Sequence, residues 1–217
     1  MRKAEVVGTM TACGLVPVVR AERAEQAINI SEALLEGGIN VVEITMTVPG
    51  AINAMEKVAD KFGDRIVLGA GTVLDAETAR TAILAGARFI VSPSLNDEVI
   101  ALARRYSVMV CPGALTPTEV IHAWESGADL VKIFPCGEVG GAKYIKSLKG
   151  PFPQVEMIPT GGVNLKTAAD FISAGSTALG VGTALVDKKA VSEGAYEIIV
   201  EKAKQFIAVI KEARAQK

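Results

Sequence analysis

Histidine is almost absent from this chain: His122 is the only one among 217 residues. It lies in TEVIHAWESG, a helical pattern far in sequence from any strand end, and reads as a surface or packing residue. A Ser-His-Asp relay or a multi-histidine zinc site is therefore hard to build. Cysteine is scarce too. Cys13, Cys111 and Cys136 are an odd number without C-x-x-C spacing, which argues against a disulfide framework and a thiolate metal site, so no metal is expected. Neither charge sign dominates. Lys and Arg total 23 against 24 Asp and Glu, a balance that offers no basic field to nucleic acid. No stretch approaches the roughly 18 uninterrupted apolar residues of a membrane helix. The start, MRKAEVVGTM, places basic residues before apolar ones as a secretory signal would, but Glu5 interrupts it, and a cytoplasmic location is expected. Nucleotide fingerprints are missing as well. GAGTVL and GVGTAL carry Leu74 and Leu185 where the third glycine of G-x-G-x-x-G belongs, and no G-x-x-x-x-G-K-[ST] occurs.

What is present is a repeated phrase. LLEGGINVVEI, ILAGARFIV, WESGADLVKI and ISAGSTALGV each end a helical pattern on a glycine suited to a left-handed cap and then enter a β-rich run. Counting all such runs gives LVPVV, VVEIT, IVLGA, FIVSP, VMVCP, LVKIF, EMIPT and ALGVG, separated by helical stretches such as 22–36 and 75–85. Eight βα units predict an α/β fold, a (β/α)8 TIM barrel formed by one domain over residues 1–217, with a short N-terminal helix. An open doubly wound sheet is the alternative. Residues 192–213 read as one closing helix whose Ile198, Val200, Phe206, Ile207 and Ile210 pack on the barrel.

Barrels of this kind work at the C-terminal ends of their strands. Those ends carry Arg20, Glu43, Thr45, Thr47, Thr72, Ser92, Lys132, Thr160 and Thr183. Two are ionisable groups inside apolar runs. Alternation puts Val41, Glu43 and Thr45 on one face and Leu130, Lys132 and Phe134 on one face of their own strand. If both faces point inward, a carboxylate and an amine share the mouth. The plainer reading is a structural buried ion pair. The sharper one is covalent amine catalysis. A lysine with the usual pKa of about 10.4 is neutral in about one molecule in 2,500 at pH 7, so a nucleophilic lysine wants a dry setting and no tight carboxylate partner. Cys136 follows Lys132 closely, but no histidine lies near it in sequence to activate it.

A third element has the size of a phosphate. PTGGVN ends strand seven in two glycines, and GVGTAL ends strand eight in a glycine-rich turn expected to open a short helix. Backbone N–H groups there make an anion site where barrels commonly hold phosphate. On residues alone, three readings stay open: a lysine-dependent aldolase, a phosphosugar isomerase or epimerase, and a non-catalytic phosphometabolite-binding protein.

In order, GGINVVEITMTVPGA, VLGAGTVL, FIVSPSL, CPGALTPTE, LVKIFP, GPFP and IPTGGVN resemble the bacterial 2-keto-3-deoxy-6-phosphogluconate / 4-hydroxy-2-oxoglutarate aldolases, over about residues 10 to 188. The resemblance implies a class I aldolase of Entner-Doudoroff carbohydrate metabolism. It would be a cofactor- and metal-independent homotrimer, cleaving a phosphorylated keto acid to pyruvate and glyceraldehyde 3-phosphate. It places the Schiff base on Lys132 and the proton shuttle on Glu43. It also puts Thr72, Pro93 and Phe134 beside the reacting end, and Thr160, Gly161, Gly162, Gly182 and Thr183 on the phosphate. Many members carry an arginine for the substrate carboxylate where this chain has Thr47, and Arg20 is expected to reach that anion from the neighbouring strand.

Overall fold

The computed structural model describes residues 1–216. Helix α1 (Lys3–Cys13) leads into strands β1 (Leu15–Val19), β2 (Val41–Thr45), β3 (Val67–Gly71), β4 (Phe89–Val91) and β5 (Met109–Cys111). Segments β6 (Gly113–Ala114), β7 (Val131–Ile133), β8 (Met157–Pro159) and β9 (Leu179–Val181) complete the set. All pairings are parallel, in the orders β5-β4-β3-β2-β1-β9 and β6-β7-β8. Nine segments make eight staves, because Pro112 has no N–H to give the ladder and divides one run in two. On one side of it Cys111 pairs with β4, and on the other Gly113 pairs with Lys132. A bridge between Thr160 and Gly180 joins β8 to β9 and closes the ring. All eight runs named from the sequence contain a stave.

Helices α2 (Ala24–Glu36), α3 (Ala51–Phe62), α4 (Ala76–Leu84), α5 (Asp97–Arg105), α6 (Pro117–Glu125), α7 (Ala142–Lys149) and α8 (Ala168–Ser173) connect the strands. Side chains cap several of them: Asp75 accepts from Thr78 N, Asn96 from Glu98 N and Val99 N, and Thr116 closes a reciprocal box with Glu119. The glycine of each repeated phrase turns the chain in the left-handed region, with φ of 92° at Gly38, 101° at Gly86, 96° at Gly127 and 106° at Gly175. A side chain is strained there, which is why the same residue type recurs.

Strands are buried on both faces, as a parallel barrel requires. One alternation fills the lumen with Val16, Val41, Val67, Phe89, Met109 and Leu130, and Val6 and Met10 of α1 plug its lower end. The other alternation, with Leu15, Val42, Leu68, Ile90 and Val110, packs against the helices. Glu43 and Lys132 stand two residues above Val41 and Leu130, so period-two geometry carries both into the lumen where the apolar stack ends.

Two expectations about the C-terminal third need correction. The closing helix does not start at 192: α9 (Lys188–Glu193) ends on Gly194 at φ 73°, and α10 (Glu197–Ala215) begins afresh. Ile198 is 41% exposed, so its side chain does not pack on the barrel as expected, whereas Phe206 and Ile210 do. The turn after strand eight also opens no helix at once. Gly182 accepts from Leu185 N and Val186 N in a single turn before α9.

Candidate active site

Lys132 and Glu43 are 6% and 2% exposed. Among the described residues, the Lys132 amine makes no hydrogen bond or ion pair, and its Nζ lies 5.1 Å from the centroid of the Phe134 ring. Glu43 Oε1 is buried with no hydrogen-bond partner. The two groups therefore share the lumen without locking together. Burial raises the Glu43 carboxyl above its ordinary 4.5, and charge on Lys132 and Arg20 opposes that shift less strongly. A buried, unsatisfied carboxyl and an uncommitted amine are costly to a fold and are arranged as acid–base chemistry needs them.

The backbone of β3 shapes the space around Glu43. A Cβ built on Gly71 would sit 2.5 Å from Glu43 Cδ and 2.7 Å from Cγ, so only glycine lets the carboxyl lie across that strand. Sequence reading did not single out Gly71; its backbone angles are ordinary, and only the crossing side chain reveals its role. Thr72, next along, is half-buried at φ 58°, one of two non-glycine residues in the left-handed region among those described. Strain of this kind collects at working sites. Pro93 is partly buried at the end of β4, against Gly113, where any side chain would meet the Pro93 backbone.

The glycine turns come together as expected. Thr160, Gly161, Gly162, Gly182 and Thr183 line one cleft of ≈170 Å³ with Phe134 and Arg20. Backbone N–H groups of Gly161, Gly162, Thr183 and Ala184 have no acceptor among the described residues. Backbone donors left free along one cleft suit an oxyanion. The segment after β7 holds this loop from behind: Cys136 N and Gly137 N donate to Thr160 O and Gly161 O at 2.9 and 3.1 Å.

Arg20, exposed at the end of β1, lines the glycine cleft and also a neighbouring one that includes Thr47. Thr47 is exposed, 2.7 Å from the Thr45 hydroxyl, which itself donates to Val19 O. The remaining candidates stand aside. His122 is half exposed on α6 and bonded to Asp97 at 2.9 Å. Burial pushes the Cys136 thiol up to about 12, so it is no nucleophile near neutrality.

Residues 6–202 match the family described as KDPG and KHG aldolase. The 2-dehydro-3-deoxy-phosphogluconate aldolase of Treponema pallidum is 33% identical over 196 residues, covering 90% of this chain and 93% of that protein. The KHG/KDPG aldolase of Escherichia coli K12 is 31% identical, covering 94% and 96%. Among solved structures, KDPG aldolase from Legionella pneumophila, with pyruvate captured as a covalent carbinolamine, superposes with a TM-score of 0.86. It shares 30% identity and covers 92% of this chain and 96% of that one. No described helix is long and apolar enough to cross a membrane.

Proposed function

Because the chain belongs to the KDPG and KHG aldolase family, we propose that it acts as one catalytic domain with Lys132 as its Schiff-base residue and Glu43 as its proton shuttle. The observation that carries this assignment is the buried Lys132 amine, free of hydrogen bonds and ion pairs, sharing the lumen with an unpartnered Glu43 carboxyl. An isomerase or epimerase would have no use for an uncommitted amine there.

Neutral Lys132 attacks the C2 ketone of the keto acid, and loss of water leaves a protonated imine. That cation accepts the electron pair released when the bond between C3 and C4 breaks, giving an enamine. Glu43 takes the C4 hydroxyl proton as the aldehyde leaves and later returns a proton to C3. A carboxyl raised by burial suits both duties, since it is a stronger base than an exposed one and a usable acid afterwards. Hydrolysis of the resulting imine frees pyruvate.

Thr72, Pro93 and Phe134 surround the pyruvyl end. The free N–H groups of the glycine cleft, with Thr160, Gly182 and Thr183, take the phosphate of a substrate such as 2-keto-3-deoxy-6-phosphogluconate. The aldehyde product is then glyceraldehyde 3-phosphate. Homotrimeric assembly, a cytoplasmic setting and a place in Entner-Doudoroff metabolism belong to the same proposal.

Arg20 holds the substrate carboxylate in place of the charge absent at Thr47. Arg20→Ala should raise the pyruvate KM; a rise confined to phosphorylated substrates would assign Arg20 to the phosphate instead. Retro-aldol rates on the gluconate-derived and galactonate-derived phosphorylated keto acids and on 4-hydroxy-2-oxoglutarate test the reading. Cleavage of none of them would refute it.

A further inference from the structure

Beside the glycine cleft lies a second opening of ≈170 Å³, between the loop after β1, the end of β2 and α9. Arg20, Glu22, Gln26, Thr47, Lys188 and Ser192 line it, and none but Arg20 also lines the glycine cleft. The mechanism above uses neither Gln26 nor Lys188.

Gln26 is only 6% exposed, an unusual depth for an amide. Its Oε1 accepts from Glu22 N at 3.0 Å, which fixes which way the amide faces. The NH2 end has no acceptor among the described residues. That donor opens on the cleft, where a ligand's oxygen can take it up in place of water. Lys188 and Arg20 bring two cations with no hydrogen bond or ion pair among the described residues, against the single carboxylate of Glu22. The hydroxyls are already spent as donors. Ser192 Oγ donates to Lys189 O, and with Thr45 committed to Val19 O, Thr47 donates to Thr45. Both therefore face a ligand as acceptors. Three nitrogen donors and two hydroxyl acceptors fit an anion that carries its own O–H.

We propose that this cleft is an accessory site for a small hydroxylated oxyanion, a hydrogen phosphate or a hydroxycarboxylate, held by Lys188 and the Gln26 amide and coupled to the substrate site through the shared Arg20. One guanidinium cannot serve two anions fully, so each ligand weakens the other by the same factor. Occupancy raises the KM for keto-acid substrates, phosphorylated or not, and leaves kcat alone. Only this effect on turnover rests on the aldolase reading; binding itself does not.

The test is calorimetric titration of inorganic phosphate and, separately, of malate into the full-length protein. Wild type binds at least one of them in this cleft, and Lys188→Ala weakens that binding about tenfold, as expected for loss of a charge-assisted hydrogen bond. The probe that loses more affinity identifies the natural class. Glu22→Gln, which removes the opposing charge, tightens binding severalfold, a gain that misfolding cannot imitate. In steady state the same probe raises the KM of wild type, while Lys188→Ala keeps wild-type kinetics and resists the inhibitor. Unchanged binding of both probes in Lys188→Ala and Glu22→Gln overturns the site. A Lys188→Ala enzyme whose substrate KM rises tenfold without any probe overturns it as well, because the cleft then belongs to the substrate.

Discussion

Gly71→Ala separates the position of the Glu43 carboxyl from the stability of the barrel. Carbon atoms rest about 3.5–4.0 Å apart, whereas the new Cβ would stand 2.5 Å from Glu43 Cδ and 2.7 Å from Cγ. The carboxyl must therefore retreat by about 1 Å. The obstructing atoms are the end of a flexible side chain, so rotation of Glu43 relieves the clash without moving a strand. Gly71 is also outside the left-handed region, so alanine can adopt its backbone angles. The melting temperature should change by no more than a few degrees, within the range of about 1 kcal/mol for a domain of this size. Displacing a base by about 1 Å costs on the order of a hundredfold in rate. We expect kcat for keto-acid cleavage to fall about a hundredfold while pyruvate can still be trapped on the enzyme. Turnover within threefold of wild type would refute the placement of Glu43. Collapse of the melting temperature would show that the backbone, not the side chain, yields.

Other consequences follow from single groups. Burial raises the Glu43 carboxyl, so the folded state holds its proton above the ordinary 4.5 and loses stability as pH climbs from there through the raised value. Glu43→Gln should accordingly melt higher than wild type at pH 8, with the advantage shrinking toward pH 4.5, although its turnover drops at least about a hundredfold; equal melting curves across that range would contradict a buried carboxylate. Gly137→Ala presses a Cβ to 2.9 Å from Gly162 Cα, backbone against backbone. It should raise the KM of phosphorylated substrates about tenfold or more and leave the pyruvate KM unchanged, a split that general loosening of the barrel does not give.

Much of this was legible in the sequence because barrel folds write themselves in periods. The strand runs, the left-handed glycines at 38, 86, 127 and 175, and the parity that sends Glu43 and Lys132 inward are local signals. What stayed hidden depends on neighbours remote in the chain. Gly71 matters through a side chain on β2, and Gly137 through a loop after β8. Periodicity ran the apolar pattern of α10 back through α9, because Gly194 ends a helix without breaking the spacing. Arg20 was legible as a strand-end cation, but its place between two clefts and the buried amide of Gln26 were not, since only closure of the ring sets β1 beside α9.

The central claim is that Lys132 is the residue that forms the imine. Incubating the protein with pyruvate, reducing with borohydride and mapping the product by mass spectrometry tests it most directly. A stable adduct on Lys132 alone, lost together with turnover in Lys132→Ala, is the expected result. No adduct at all, or one on another lysine of a fully active enzyme, would contradict it.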